Sequence, residues 1–248
     1  MEAKNVLLFV IIVVLLYVVV GYISKDVSTL TGLTSGQTMQ TINPTTLTTS
    51  SDSGNTTNFT YSVWFYIDDW NYRYGEEKVV FGRMNTGSNK KLDPCPSVVL
   101  GALENNIVVS LSVFPGLDTA PSADAATTNS VTHRCAVANI PIQKWVNLLV
   151  STYGRSMDIY IDGKLVRTCV LPGVAKIDTN APIYVTPNGG FSGWTAKFQY
   201  WSDSCDPQKA WNIYEAGYGA SMLSSIFGKY SVKVSLMDGN TEDSSFSV

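Results

Sequence analysis

The sequence predicts an all-β chain, a two-sheet antiparallel sandwich, with one N-terminal transmembrane helix and one short late helix. Three observations carry this. From Phe59 onward apolar residues alternate with period two, in short runs divided by turn residues. Asp162-Gly163 stands alone between two such runs, the spacing of a two-residue hairpin. Residues 6–23 (VLLFVIIVVLLYVVVGYI) carry no charge at all.

That apolar run is about 18 residues, hence about 27 Å as a helix, close to the hydrocarbon thickness of a bilayer. Only a helix satisfies its own backbone in lipid, so the Val and Ile content does not argue for a strand. Tyr17 and Tyr22 suit the interface, and Lys4 and Lys25 bracket the span. The alternative is a cleaved signal peptide, with Val19 and Gly21 at the −3 and −1 positions. Against it, the run exceeds the usual apolar region of about 7–15 residues, and Glu2 offsets Lys4. Lys4 with the amino terminus slightly outweighs Lys25 beside Asp26, which favours a cytosolic N-terminus. The expected order is a tail (1–5), the span (6–23), a Ser/Thr-rich tether (24–57), a globular domain (58–228), and a C-terminal strand with a polar tail (229–248).

The tether has too few apolar residues for a core and is expected to be extended, reaching on the order of 100 Å. Asn55 and Asn58 each open a glycosylation sequon. The domain starts with a strand at 59–67, aromatic on both faces. Strands are expected at 78–82, 97–100 and 107–113, with a turn at Asn105-Asn106. A long loop at 116–130 precedes strands at 131–138, 145–152 and 157–161. Asp-Gly tolerates the positive φ of a type I′ turn, so 157–170 is a hairpin. Residues 182–186 and 193–201 follow, around Gly189-Gly190. The one convincing soluble helix comes next: Asp206 suits the N-cap, Pro207 the first helical position and Gly217 the C-terminal cap. Trp194, Tyr200 and Trp201 are expected to fill the core. Residues 230–236 read as an extra strand before an Asp238-Gly239-Asn240 turn, either completing the sandwich or adding to a neighbour's edge.

Composition narrows the function. Charged residues make up 15% of the 248, the net charge is −3, and no basic stripe exists, which excludes electrostatic nucleic-acid binding. Thirteen Tyr and six Trp favour contact surfaces. Cys95, Cys135, Cys169 and Cys205 are disulfide candidates with three possible pairings; four buried free thiols are the alternative. His133 is the only histidine and no Cys-x-x-Cys occurs, so zinc is not expected.

Five motifs in order resemble a known family. Residues 59–65 (FTYSVWF) look like the opening strand of concanavalin A-like domains of the laminin-G type. Residues 144–150 (KWVNLLV) resemble their Trp-led strand, and 159–166 (IYIDGKLV) their Asp-Gly hairpin. Residues 191–201 look like the closing strand, and 206–217 the helix after it, with Tyr214 and Gly217 in place. The resemblance implies a jelly roll, a fold that hosts lectins, glycosidases and adhesion modules alike. Joined to an N-terminal anchor, it is similar to virion membrane and minor capsid proteins of large DNA viruses.

Glycosidase chemistry needs two carboxyls about 5–9.5 Å apart, whereas Asp158 and Asp162, four strand residues apart, are about 13 Å apart. No Gly-x-Ser-x-Gly turn accompanies His133. The chain is therefore expected not to be an enzyme and to need no cofactor. Trp70, Asn71, Tyr72, Arg73 and Tyr74 combine stacking rings with hydrogen-bonding groups and are the candidate ligand-binding residues; an aromatic lid on the sandwich end is the alternative. The resemblance also implies a calcium option, with Asp68, Asp69, Asp93 and Asp118 near loops, but no site is assigned. The expected partners are membrane lipid through 6–23 and proteins in an assembly, foremost a virion. A glycan-binding lectin is the alternative, and a glycoside hydrolase ranks third.

Overall fold

The computed structural model describes Leu15 and residues 28–47, 57–84, 93–115, 130–219, 233–238 and 241–247, the last two segments as backbone. The 6–23 run, Asn55, Asp118, the loop at 116–129 and residues 230–232 lie outside the described residues, apart from Leu15. No helix among the described residues is long and apolar enough to cross a membrane.

Residues Ser28–Glu215 form one unit of two antiparallel sheets. The first runs in the order β1 (Thr29–Thr31), β13 (Ser192–Trp201), β4 (Phe59–Asp69), β9 (Trp145–Tyr153), β10 (Ser156–Ile161), β11 (Lys164–Val170), with β2 (Thr34–Ser35) also on β13. The second runs β3 (Gln40–Ile42), β12 (Ile183–Val185), β5 (Lys78–Met84), β6 (Pro94–Leu100), β7 (Asn106–Val113), β8 (Val131–Ala138). Successive strand residues face opposite ways. Phe59, Tyr61, Val63, Phe65 and Ile67 therefore enter the core together, facing Ile107, Val109, Leu111 and Val113 of the other sheet.

Residues 28–47, read as tether, belong to the sandwich. β1 and β2 pair with β13, β3 pairs with β12, and Ile42 and Leu47 are buried. Composition misled here because a short strand is held by its backbone ladder, and β-branched Thr suits a half-buried pleat. Two buried aliphatics, about 1.5–3 kcal/mol each, anchor the segment further.

The outer face of the first sheet carries a second, smaller core. Leu149 and Tyr160 pack with Cys205 and Ala210, and Ile213 of the late helix (Pro207–Glu215) closes over them. Trp64 and Tyr214 stack with centroids 5.6 Å apart. The helix begins as its residues dictate: the Lys209 amide donates to Asp206 Oδ1 (2.7 Å). Gly217 sits beyond its end at φ +69°. The Asp162-Gly163 turn also has left-handed φ at both residues, +50° and +72°.

Two expectations need correction. Trp194 is not a core residue. It pairs with Tyr66, so it shares the outer face and is 48% exposed; Tyr200 does pack against the core. Of the cysteines, Cys135 on β8 is bonded to Cys169 on β11, while Cys95 and Cys205 are free and buried. The last two cannot meet, because Cys205 lies in the outer cluster and Cys95 beside Tyr61 and Arg83 within the sandwich.

In the second unit, β14 (Lys233–Asp238) pairs antiparallel with β15 (Thr241–Ser247). Among the described residues this hairpin is a two-stranded sheet of its own.

Candidate functional site

One end of the sandwich gathers the candidate loop. β4 ends at Asp69, whose Oδ1 accepts from the Asn71 amide (2.9 Å). Tyr74 N donates to Asn71 O (3.0 Å), and Gly75 N to Ala102 O (3.1 Å), so the loop is fastened at both ends. Tyr72 OH reaches Gly189 O (3.2 Å). The Arg73 guanidinium grips Glu76 Oε2 (2.8 and 2.6 Å) and donates to the carbonyls of Asn188 and Gly190. The turn it holds is built from left-handed residues: Thr186, Asn188, Gly189 and Gly190 all have positive φ.

These bonds sort the five sequence candidates. Trp70 packs against the core and covers Lys78, whose ammonium lies 5.0 Å from the indole centroid. Tyr72 and Arg73 brace the rim, while Asn71 and Tyr74 are exposed. Lys78 is 1% exposed, and among the described residues its Nζ has no hydrogen-bond acceptor. Burial first, then the Arg73 charge, pushes its pKa down.

Beside this rim, the register aligns three aromatics that were not singled out as a site. Trp194 pairs with Tyr66 and Tyr66 with Trp145, across β13, β4 and β9. The Tyr66 and Trp145 rings are 5.8 Å apart. All three share the outer face, and the row spans about 10 Å, two interstrand spacings. Polar groups border it. Lys144 Nζ pairs with Asp162 Oδ2 (3.0 Å), and Gln143 Nε2 reaches Asp68 O (3.4 Å). The Asp162 contact holds the Lys144 pKa up. The signal in the sequence was the period-two placement of Tyr66 with Trp64; which strands flank β4 is a matter of long-range pairing.

A groove of about 250 Å³ crosses the outer face of the second sheet. Val79, Val99, Val108, Ser97, Ser110 and Arg134 are among its lining, which includes no aromatic ring.

Most described carboxylates have structural duties. Asp158 accepts from Thr168 Oγ1 (2.6 Å), and Asp162 holds Lys144 and the Asn147 amide. Asp93 is buried between Lys176 (3.2 Å) and Ser130 (3.0 Å). Among the described residues no three His, Cys, Asp or Glu side chains converge on a metal-sized site. His133 is half-buried, and burial lowers its pKa.

A family model described as the concanavalin A-like lectin/glucanases superfamily matches residues 41–208. No curated protein sequence matches the chain. Among solved structures it is similar to a mutant of HCR/D, at 13% identity over 76% of this chain and 44% of that one, TM-score 0.49. It is also similar to the binding domain of botulinum neurotoxin DC in complex with SialylT (15% identity, 64% and 35% covered, TM-score 0.46). The same domain in complex with rat synaptotagmin II gives 16% identity, 64% and 36% covered, and TM-score 0.45. The chain thus spans less than half the length of each.

Proposed function

Since the chain belongs to the concanavalin A-like lectin/glucanases superfamily, we propose that it is a membrane-anchored, non-enzymatic binding module. It makes protein contacts in an assembly, foremost the membrane or minor capsid layer of a virion. The observation that carries the binding role is the Trp145–Tyr66–Trp194 row on the outer sheet face. Large, rigid aromatics at the surface are the residues that dominate protein interfaces. The braced rim beside it keeps that surface in one shape, which lowers the ordering cost of association. The commitment of Asp158, Asp162 and Asp93 to structural bonds supports a role without catalysis. The uncharged run 6–23 supports the anchor. The virion setting draws on the pairing of anchor with jelly roll alone.

One observation favours a second reading, glycan binding. Indole faces accept the C–H face of a sugar ring, and Lys144, Asp162, Asp68 and Gln143 border the row with donors and acceptors for hydroxyls.

The test is cross-linking with mass spectrometry in the native membrane or particle, for wild type and Trp194→Ala, beside a glycan array run with calcium and with chelator. A protein cross-link lost in Trp194→Ala supports the protein-contact reading. Array binding lost in that variant, with no protein cross-link, replaces it with the lectin. Release of reducing sugar from any bound glycan overturns the non-enzymatic role.

A further inference from the structure

The groove on the outer face of the second sheet is framed by strand register. Gly82 lies opposite Ser97, Ser97 opposite Ser110, and Ser110 opposite Arg134. This row crosses β5, β6, β7 and β8, three strand spacings or about 14 Å. On one side the next row is Val79, Val99, Val108 and Ala136. On the other side Met84 pairs with Pro94. The three valines, Met84 and Pro94 line the cavity as walls, with Ser97 and Ser110, each 9% exposed, between them. The result is a trough with a floor of small side chains and aliphatic sides.

Gly82 is the informative residue of that floor. Glycine weakens the interior of a strand, and one found there marks a bulge or a close approach. The ladder does shift register after Gly82, but its φ is not left-handed, so the bulge does not require glycine. Crowding does not require it either. A Cβ there would meet Ser97 Oγ at 3.7 Å and Met84 Sδ at 3.8 Å, which are ordinary contacts. Its effect on this face is to keep the β5 end of the floor bare.

Arg134 supplies the charge. It is exposed, and among the described residues it belongs to no ion pair. Arg167 adds a second guanidinium at the same end, bonded to Ala136 O (2.7 Å). Glu77 lines the cavity at the β5 end, two residues before Val79.

We infer that this trough binds a small monocarboxylate with an aliphatic chain. The carboxylate sits on Arg134, and the chain lies over Ser110 and Ser97 toward Gly82. A guanidinium and a carboxylate meet as matching planar forks. The Ser110 hydroxyl, next to Arg134, can donate to the same carboxylate. The valines, Met84 and Pro94 take up alkyl surface. The lining includes no aromatic ring for a sugar to stack on. Glu77 repels a second negative charge, which favours a monoanion over a dicarboxylate or a phosphate ester. The trough is distinct from the Trp145–Tyr66–Trp194 row, which lies on the other sheet.

The test is saturation-transfer NMR on the full chain held in amphipol. Hexanoate is the probe, and hexanol is the control of equal chain length without the charge. Hexanoate should receive saturation at its methyl end, and hexanol much less. Arg134→Gln, at an exposed position, should weaken hexanoate about tenfold, the loss of one charge-assisted pair. Gly82→Val fills the floor and should abolish the transfer, with its unfolding midpoint as the check that it folds. If Gly82→Val does not fold, Arg134→Gln decides alone. No transfer from folded wild type overturns the proposal. Transfer that is unchanged in either folded variant, or that hexanol matches, overturns it as well.

Discussion

Cys135 and Cys169 join the two sheets edge to edge, their Cα atoms 6.4 Å apart across the open side of the sandwich. β8 is the last strand of one sheet and β11 the last of the other, so among the described residues no backbone ladder closes that side. Arg167 adds one hydrogen bond there, to Ala136 O (2.7 Å).

The bond spans 34 residues of chain. Loop closure of that length removes roughly 4 kcal/mol of unfolded-state entropy in the chain-entropy model. The double variant Cys135→Ser with Cys169→Ser is therefore expected to lose about 2–4 kcal/mol in urea unfolding. Equal midpoints for the variant and the oxidised wild type would refute this staple role.

Gly163 shows how a turn residue also serves packing. Its φ is +72°, and a Cβ there would lie 3.0 Å from Tyr214 Cβ and 3.1 Å from Trp211 Cε3. Gly163→Ala thus carries a left-handed backbone penalty of about 1–2 kcal/mol and a clash with the helix besides. Gly75, at φ +85° with open space around it, carries only the backbone part. The expected order of unfolding midpoints is wild type, Gly75→Ala, Gly163→Ala. Equal losses for the two variants would show that the helix contact is slack.

The local signals in this chain were legible wherever the physics is local. The Asp162-Gly163 turn, the Asp206 cap and the alternation in β4 all follow from φ preference, one hydrogen bond and a period of two. The pairing of β1, β2 and β3 did not, since a Thr-rich segment reads alike whether solvated or laid along a sheet edge. The packing of Trp70 on the core fits the aromatic-lid alternative, but the bonds that brace the rest of the loop were not legible. Tyr72 and Arg73 are held by residues near 187–190, more than a hundred positions away, and only the fold brings those partners in. The Trp145–Tyr66–Trp194 row was missed for the same reason, because strand order is non-local.

Alkali should unfold the protein partly through Cys205. Burial raises its thiol from 9.0 to about 11. Below pH 9 the thiol is protonated in both states, and its contribution is fully present. Between pH 9 and 11 the unfolded chain ionises it first, unfolding releases a proton, and stability falls. Tyr160, raised to about 12 by burial, extends the fall upward. Cys205→Ala is expected to flatten the stability–pH curve between pH 9 and 11 in urea titrations. An unchanged slope would place the loss elsewhere.

Lys78 is expected to be a net cost. Its ammonium is buried with no acceptor among the described residues, which costs about 1–3 kcal/mol, against about 0.5–2 kcal/mol from the Trp70 ring. Its lowered pKa has the same sign, since the folded state resists the charge. Lys78→Met keeps the chain length and removes the charge, so its unfolding midpoint should rise. A lower midpoint would mean that the ring contact outweighs desolvation.

Arg73 tests whether the rim is braced or merely crowded. Its guanidinium forks onto Glu76 and reaches two carbonyls of the facing turn, while its own backbone sits at φ +52°. The Glu76 pair is exposed, so its worth to global stability is small, about 0–1 kcal/mol. Local order is a different quantity, since opening of a loop is governed by its own few bonds. Arg73→Ala should leave the unfolding midpoint nearly unchanged yet speed amide exchange at Tyr74, Gly75 and Glu76. Arg73→Lys should resemble Ala, because an ammonium cannot reproduce the planar fork. If partner binding depends on a preformed rim, both variants weaken it although neither touches the Trp194 row. Unchanged exchange in both would show that the Tyr72 and Gly75 bonds hold the loop by themselves.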